Sequence, residues 1–126
     1  MNAVGILEKL VEAGAVVWTE AERVRFRAPA GAISDELRAA AGSCRSALRA
    51  LVDAGAVLPV DRATWPVDTL DDFEERAAIM QFDGGLTRDR AEHEAERLVR
   101  VDHTRAFVAQ LALASVPDAA AVASRP

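Results

Sequence analysis

One stretch, residues 15–28, constrains the fold more than any other part of the chain, because there the hydrophobic period falls from helical to two. Its letters are A-V-V-W-T-E-A-E-R-V-R-F-R-A. In the second half, Val24 and Phe26 alternate with Arg23, Arg25 and Arg27. This alternation places the apolar side chains on one face of a β-strand and the arginines on the other.

The first half of the same stretch supplies a partner strand. Val16, Val17 and Trp18 form a β-branched and aromatic run, and only the letters T-E-A-E separate it from the arginine strand. Two such runs with a short connection predict a β-hairpin. Because a lone two-stranded ribbon is marginal in water, we expect Trp18, Val24 and Phe26 to pack against helices.

Helical patterns flank the hairpin on both sides. Residues 3–13 carry apolar side chains at helical spacing and are followed by Gly14, a typical residue after a helix C-cap. Ser34 is a good N-cap for a helix to about residue 41, and Ser43 for a third helix that ends near Asp53. Residues 1–54 therefore predict an α+β module in the order helix, hairpin, helix, helix.

The second half of the chain predicts a helical hairpin over residues 68–114, joined to the module by an extended linker at 55–67. Asp68 or Thr69 is the expected N-cap of its first helix. The apolar face of that helix consists of Leu70, Phe73, Ala77 and Met80. Residues 115–126 are alanine-rich and proline-flanked, which predicts a disordered tail.

Between the two helices of this hairpin, Asp83-Gly84-Gly85 is a stop signal and Thr87 an N-cap. The second helix has Ala91, Ala95 and Leu98 on one face. Its apolar pattern then continues with Phe107, Val108 and Leu111, either directly or after a break near residues 102–104.

Composition and charge narrow the classes of protein and of partner. The net charge is -5, and the whole acidic excess lies in residues 61–126. Such a chain has no global field that attracts nucleic acid. It starts at Met1 without a cationic, apolar leader and has no apolar run near 18 residues, which predicts a cytoplasmic protein without a membrane partner.

The residues that carry chemistry do not form a recognisable active site. His93 and His103 lie ten positions apart and belong to no metal-binding motif. The acidic residues that open the helix after residue 68 are typical of a helix N-terminus, and Cys44 has no histidine near it in sequence. We therefore expect no catalytic residues, no metal site and no cofactor, and classify the chain as a non-enzyme.

The alternating arginines are the best candidate for a functional surface. A solvated strand face and a partner surface are equally compatible with the pattern. As a partner surface, the exposed edge would pair with a peptide backbone while the arginines hold its carboxylates. The candidate partner-binding residues are Trp18, Arg23, Arg25 and Arg27.

Four segments carry a resemblance to a known family: I-L-E-K-L at 6–10, G-A-V-V-W at 14–18, V-R-F-R-A-P-A-G at 24–31 and S-D-E-L-R at 34–38. In this order they resemble TubC-type N-terminal docking domains, which stand at the front of nonribosomal peptide synthetase and polyketide synthase subunits. The resemblance covers roughly residues 1–54. It implies a helix–hairpin–helix–helix fold whose hairpin accepts an acidic or mixed peptide tail, and it implies a homodimer.

A second, shorter resemblance points elsewhere. Residues 73–92, F-E-E-R-A-A-I-M-Q-F-D-G-G-L-T-R-D-R-A-E, are similar to a helical segment of bacterial proteins of phage and plasmid origin, some of them associated with primases. The preferred hypothesis is a docking or adaptor protein that binds a protein or peptide through the hairpin. The alternative is a mobile-element accessory factor of phage or plasmid DNA replication that contacts a primase or nucleic acid.

Overall fold

The computed structural model describes residues 2–124, with side chains for residues 2–114. It confirms the α+β class and the order helix, hairpin, helices. The elements are α1 (Ala3–Glu12), β1 (Val16–Glu20), β2 (Arg23–Arg27), α2 (Asp35–Ser43), α3 (Arg45–Asp53), a short 3-10 turn (Arg62–Thr64), α4 (Val67–Phe82) and α5 (Arg88–Ser124). The sequence predicts a disordered tail at 115–126, whereas α5 continues to Ser124; the division into two domains and a linker stays a prediction.

The hairpin register decides which side chains share a face. The two strands pair antiparallel, with Val17 opposite Phe26 and Thr19 opposite Val24. Directly opposed residues project to the same face, and Val24 and Phe26 pack against the core as predicted. Trp18 lies opposite Arg25, on the other face. The expectation that Trp18 packs against the helices is therefore wrong: strand alternation places it one position out of phase with Val17.

The turn between the strands has an unusual backbone. It consists of only two residues, Ala21 and Glu22, and their φ angles are 50° and 66°. Two left-handed residues in succession are the geometry of a type I′ hairpin turn, which Asn-Gly adopts most easily. Alanine and glutamate adopt it at a cost of roughly 1–2 kcal/mol per residue, so strand pairing and packing hold this turn in place.

Some helices begin at the capping residue that the sequence predicts, and others do not. Ser34 caps α2 as predicted, since its Oγ accepts a hydrogen bond from the Leu37 amide at 3.1 Å. Ser43 does not cap α3: its hydroxyl donates to the Ala39 carbonyl one turn earlier, and α3 begins after Cys44 without a side-chain cap.

The two helices of the second half differ in how they begin. Neither Asp68 nor Thr69 caps α4, because Pro66, with φ of -55°, already occupies the N-cap position. Thr87 caps α5 as predicted, with its Oγ1 accepting from the Arg90 amide at 3.3 Å. From there α5 is continuous through residues 102–104.

Two apolar clusters form the interior. The first joins α1, the hairpin, α2 and α3, and its most buried members include Ile6, Leu7, Leu10 and Leu48. The second lies between α4 and α5 and contains Leu58, Trp65, Phe73, Ala77, Ala95 and Val99. In this cluster the Trp65 and Phe73 rings meet edge to face, 6.0 Å apart.

Helix α5 connects the clusters. Val99 belongs to the second cluster, whereas Val101 and Phe107 pack in the first. The Thr104 hydroxyl, buried to 1% exposure, donates to the Ala56 carbonyl at 2.8 Å. The helical pair therefore packs directly on the N-terminal module.

The ends of α1 and α3 are built alike. Residues 10–17 read L-V-E-A-G-A-V-V and residues 51–58 read L-V-D-A-G-A-V-L, and we call them the first and second repeat. In the first, the Gly14 and Ala15 amides donate to the Val11 and Leu10 carbonyls; in the second, the corresponding amides make the same two bonds. Both pairs form a Schellman motif around a glycine of positive φ.

Candidate functional site

The hairpin has an outer face that turns away from the first cluster. Three opposed pairs make up this face: Val16 with Arg27, Trp18 with Arg25, and Glu20 with Arg23. We call these six residues the outer face. The three arginines are exposed and Trp18 is half-buried, so the structure brings all four candidate partner-binding residues onto one surface. Whether they bind a partner stays a prediction.

The charges on the outer face are largely available to a ligand. Arg25 makes an ion pair with Glu20 at 3.3 Å, but both side chains are more than half exposed, and such pairs contribute little to stability. Arg23 and Arg27 form no ion pair with any residue that the structure describes. A carboxylate that approaches this face would therefore meet two uncompensated guanidinium groups and one weakly held one.

The hairpin also offers free backbone edges. It is a two-stranded sheet, so each strand has one neighbour and one open side. Within residues 2–124, neither outer edge receives a hydrogen bond from another part of the chain. An open strand edge is the geometry to which an added peptide strand pairs.

Contacts from α3 fix the hairpin in place. The Thr19 hydroxyl donates to Asp53 Oδ1 at 3.0 Å. Arg49 bridges Asp53 at 3.5 Å and Glu22, in the turn, at 3.9 Å. These bonds lie on the core side, so they orient the strands without occupying the outer face.

A side chain of α2 packs over the ring of Phe26. The Arg38 guanidinium lies over its ring, 5.4 Å from the centroid. Phe26 is therefore half-buried between the core and a cation.

Of the other side chains that could act as catalysts or metal ligands, His103 and Cys44 contact backbone carbonyl oxygens, whereas His93 contacts none among the described residues. His103 Nε2 lies 2.9 Å from the Gly55 carbonyl oxygen, and the half-buried Cys44 thiol donates to the Ala40 carbonyl at 3.3 Å. His93 is exposed on α5. Across the described residues, no group of three or more His, Cys, Asp or Glu side chains is arranged to hold a metal ion.

Sequence reasoning missed Arg100, the most buried charged residue described. It is 5% exposed, and its Nε donates to Glu96 at 3.0 Å. Its Nη atoms donate to the carbonyls of Leu58, Pro59 and Val60, each at 3.2 Å. Burial lowers the pKa of Arg100, and the bond to Glu96 opposes this effect. The only signal in the sequence was an arginine among apolar helix positions.

In the part of the chain that the structure describes, no helix has both the length and the apolar character that crossing a bilayer requires.

Comparison with known proteins shows what the N-terminal module is similar to. Residues 4–48 match the family model of the TubC N-terminal docking domain. The match confirms this resemblance over residues 4–48, and it suggests a protein–protein docking role. No curated protein and no solved structure matches the chain. The replication-related resemblance of residues 73–92 stays a hypothesis.

Proposed function

We propose that this protein is a non-catalytic docking protein that binds an acidic peptide tail of a partner protein along the outer face of its hairpin. The peptide backbone pairs with an open strand edge, and carboxylates of the peptide bind Arg23, Arg25 and Arg27. Trp18 supplies apolar contact area beside Arg25. The protein acts as an adaptor in the cytoplasm and needs no cofactor.

One observation carries this proposal: the outer face combines uncompensated arginines with open backbone edges in a module that matches a docking family. A protein with net charge -5 keeps these guanidinium groups together on one exposed strand face. Strand addition supplies affinity through main-chain hydrogen bonds, while the charges select an acidic partner.

The test uses a defined probe, a fluorescent thirteen-residue peptide that alternates glutamate and valine and has glutamate at both ends. We expect fluorescence anisotropy to detect saturable binding of this peptide. Replacement of Arg23, Arg25 and Arg27 by Ser should weaken the binding at least tenfold. Salt dependence should be modest, since main-chain bonds are not screened.

A matched control replaces Arg45, Arg88 and Arg90 by Ser, which changes the net charge equally on surfaces away from the hairpin. If both triple variants lose affinity to the same extent, binding depends on net charge and the outer face is not the site. Circular dichroism establishes that each variant is folded.

A gel shift with duplex DNA at low salt tests the replication alternative. We expect no shift, because the acidic excess of residues 61–126 opposes DNA. A salt-sensitive shift that disappears in the hairpin triple variant would move the protein into the nucleic-acid-binding class.

The homodimer implied by the family resemblance is part of the proposal. A module of about 55 residues buries only about 60% of its unfolded surface and gains stability from a partner copy. Light scattering at micromolar concentration should give a dimer mass, and a 13.5 kDa species would contradict it.

A further inference from the structure

A cleft of about 410 Å³ lies where the outer face meets α5. One wall comes from the end of β2 and the loop after it, with Arg27 and Pro29. The Schellman turn at Gly14 forms another, and α5 closes the cleft with His93 and Arg97. One wall of this cleft therefore comes from residues beyond the docking-domain match at 4–48.

The charge around the cleft is positive although the protein is acidic. Arg27, Arg97 and Arg100 line it, and Glu96 is the one carboxylate among its lining residues. Glu96 is already bound by Arg100 at 3.0 Å and by Arg62 at 3.5 Å. The charge on Arg27 is among the causes that lower the pKa of Arg100, after burial, so these cations act on one another. An anion bound between them would relieve this repulsion.

Two of the lining groups remain able to donate hydrogen bonds to a ligand. Arg97 donates to Glu94 and to the Glu12 carbonyl at 3.1 Å, and all three nitrogens of Arg100 are engaged. Arg27 and His93 have no side-chain hydrogen bond to any described residue. Arg97 and Arg100 are thus each paired with a glutamate, and the donors that remain free in the cleft are those of Arg27 and His93.

The floor of the cleft is apolar. It includes Val11, Ala15 and Val16, whose side chains are buried in the folded chain. An apolar floor beneath the cations lowers the local dielectric constant and so strengthens a charge-assisted hydrogen bond relative to one in open solvent. These features fit one carboxylate better than an extended polyanion, for which the cleft offers too few free donors.

We infer that α5 completes the docking surface, so that the cleft holds one carboxylate of the bound peptide between Arg27 and His93. This inference rests on the proposed docking function and extends it: residues outside the docking module select partners by requiring an acidic group at one end of the bound segment. The carboxylate is either a glutamate or aspartate side chain or the C-terminus of the peptide.

The experiment compares forms of the valine–glutamate peptide that differ at one end. The reference form carries a glutamate at both ends and a free C-terminus. Three other forms have a C-terminal amide, glutamine in place of the last glutamate, or glutamine in place of the first. We expect one of the three to bind five- to tenfold more weakly than the reference, and its identity reveals the source of the carboxylate.

His93→Gln should reduce this discrimination several-fold, because Arg27 alone then holds the carboxylate. The variant should bind the reference peptide more weakly than the wild type does, and it should bind the selected neutral form unchanged. His93 is exposed, so this substitution leaves the fold intact. Arg88→Gln, on the same helix and outside the lining of this cleft, is the matched control and should keep the wild-type discrimination.

The outcomes separate this inference from the docking proposal. If all four peptides bind with equal affinity and this binding still depends on Arg25, the inference about the cleft is wrong and the docking proposal stands. Discrimination that persists undiminished in His93→Gln would overturn the assignment to α5. Absence of binding to every peptide would overturn both.

Discussion

The first and second repeats carry nearly the same letters and end their helices in the same way, yet the chain continues differently after each. After Gly14 the chain enters β1, which pairs with β2. After Gly55 it forms no strand, and α5 binds its carbonyl groups instead, through His103, Thr104 and Arg100. Local sequence therefore sets the helix ending, and the available hydrogen-bond partner sets the structure of the next segment.

The burial of the repeats differs as well. Leu10 is 0% exposed at the centre of the first cluster, whereas Leu51, its counterpart, is half-buried at the edge. At the other end Val17 and Leu58 are both buried, but in different clusters. The same apolar pattern serves two cores because α5 passes beside both helix ends.

The largest expected effect separates the two leucines. Leu10→Ala should lower the free energy of unfolding by about 2–5 kcal/mol, since it leaves a cavity in a closed core. Leu51→Ala should cost about half as much, because solvent already reaches the side chain. Urea unfolding monitored by circular dichroism measures both, and equal losses would show that the first cluster is not centred on α1.

The next largest effect concerns two arginines of α5 that contact the ends of the repeats. Arg100→Met removes the donors to the carbonyls of Leu58, at the end of the second repeat, and of Val60, whereas the Pro59 carbonyl keeps its bond from the Trp65 indole. We expect a cost of about 2–3 kcal/mol. Arg105→Met removes only an exposed ion pair with Glu12 of the first repeat, 2.7 Å long, and should cost below about 1 kcal/mol. Urea unfolding of both variants tests this ratio, and a larger loss for Arg105→Met would refute it.

A smaller effect should be shared by the two helix endings. Gly14 and Gly55 have φ angles of 94° and 97°, and a Cβ at either site meets no atom closer than 3.5 Å. Each glycine-to-alanine change should therefore cost about 1–2 kcal/mol through backbone strain alone. Thermal unfolding of the two variants should give similar shifts, and a shift at one site only would mean that the two Schellman motifs are not equivalent.

The smallest expected effect is an increase in stability, and it is confined to the hairpin, which follows the first repeat. Replacing Ala21→Asn together with Glu22→Gly supplies the residues that a type I′ turn prefers and should stabilise the protein by about 1 kcal/mol. Amide hydrogen exchange should slow in β1 and β2, with no change around Leu58. Faster exchange in the strands would indicate that the turn differs from the one described.

Much of the fold was predictable because it depends on local patterns. Arginine alternation predicted β2, Ser34 and Thr87 predicted two helix starts, and Phe73 and Ala77 predicted the buried face of α4. Each signal is decided within a few residues by side-chain direction or by an unpaired amide. Where a second local partner competed, as for Ser43, the prediction failed.

The candidate site was predictable only in part. The sequence indicated the three arginines and their common face, since alternation alone fixes it. It named Trp18 as a partner-binding residue but also expected it to pack against the helices, because a strand pattern does not reveal its register with the partner strand. It gave no indication of the cleft, whose walls join residues about 80 positions apart.

The sequence by itself determined the hairpin, the helix endings at Gly14 and Gly55, and the resemblance of the N-terminal module to a docking domain. Tertiary structure decided that Trp18 joins the arginines and that the second repeat binds α5. It also placed His93 and Arg97 beside Arg27. The physical reason is range: caps, turns and alternation act between near neighbours, whereas burial, strand register and the meeting of distant charges depend on how whole helices pack.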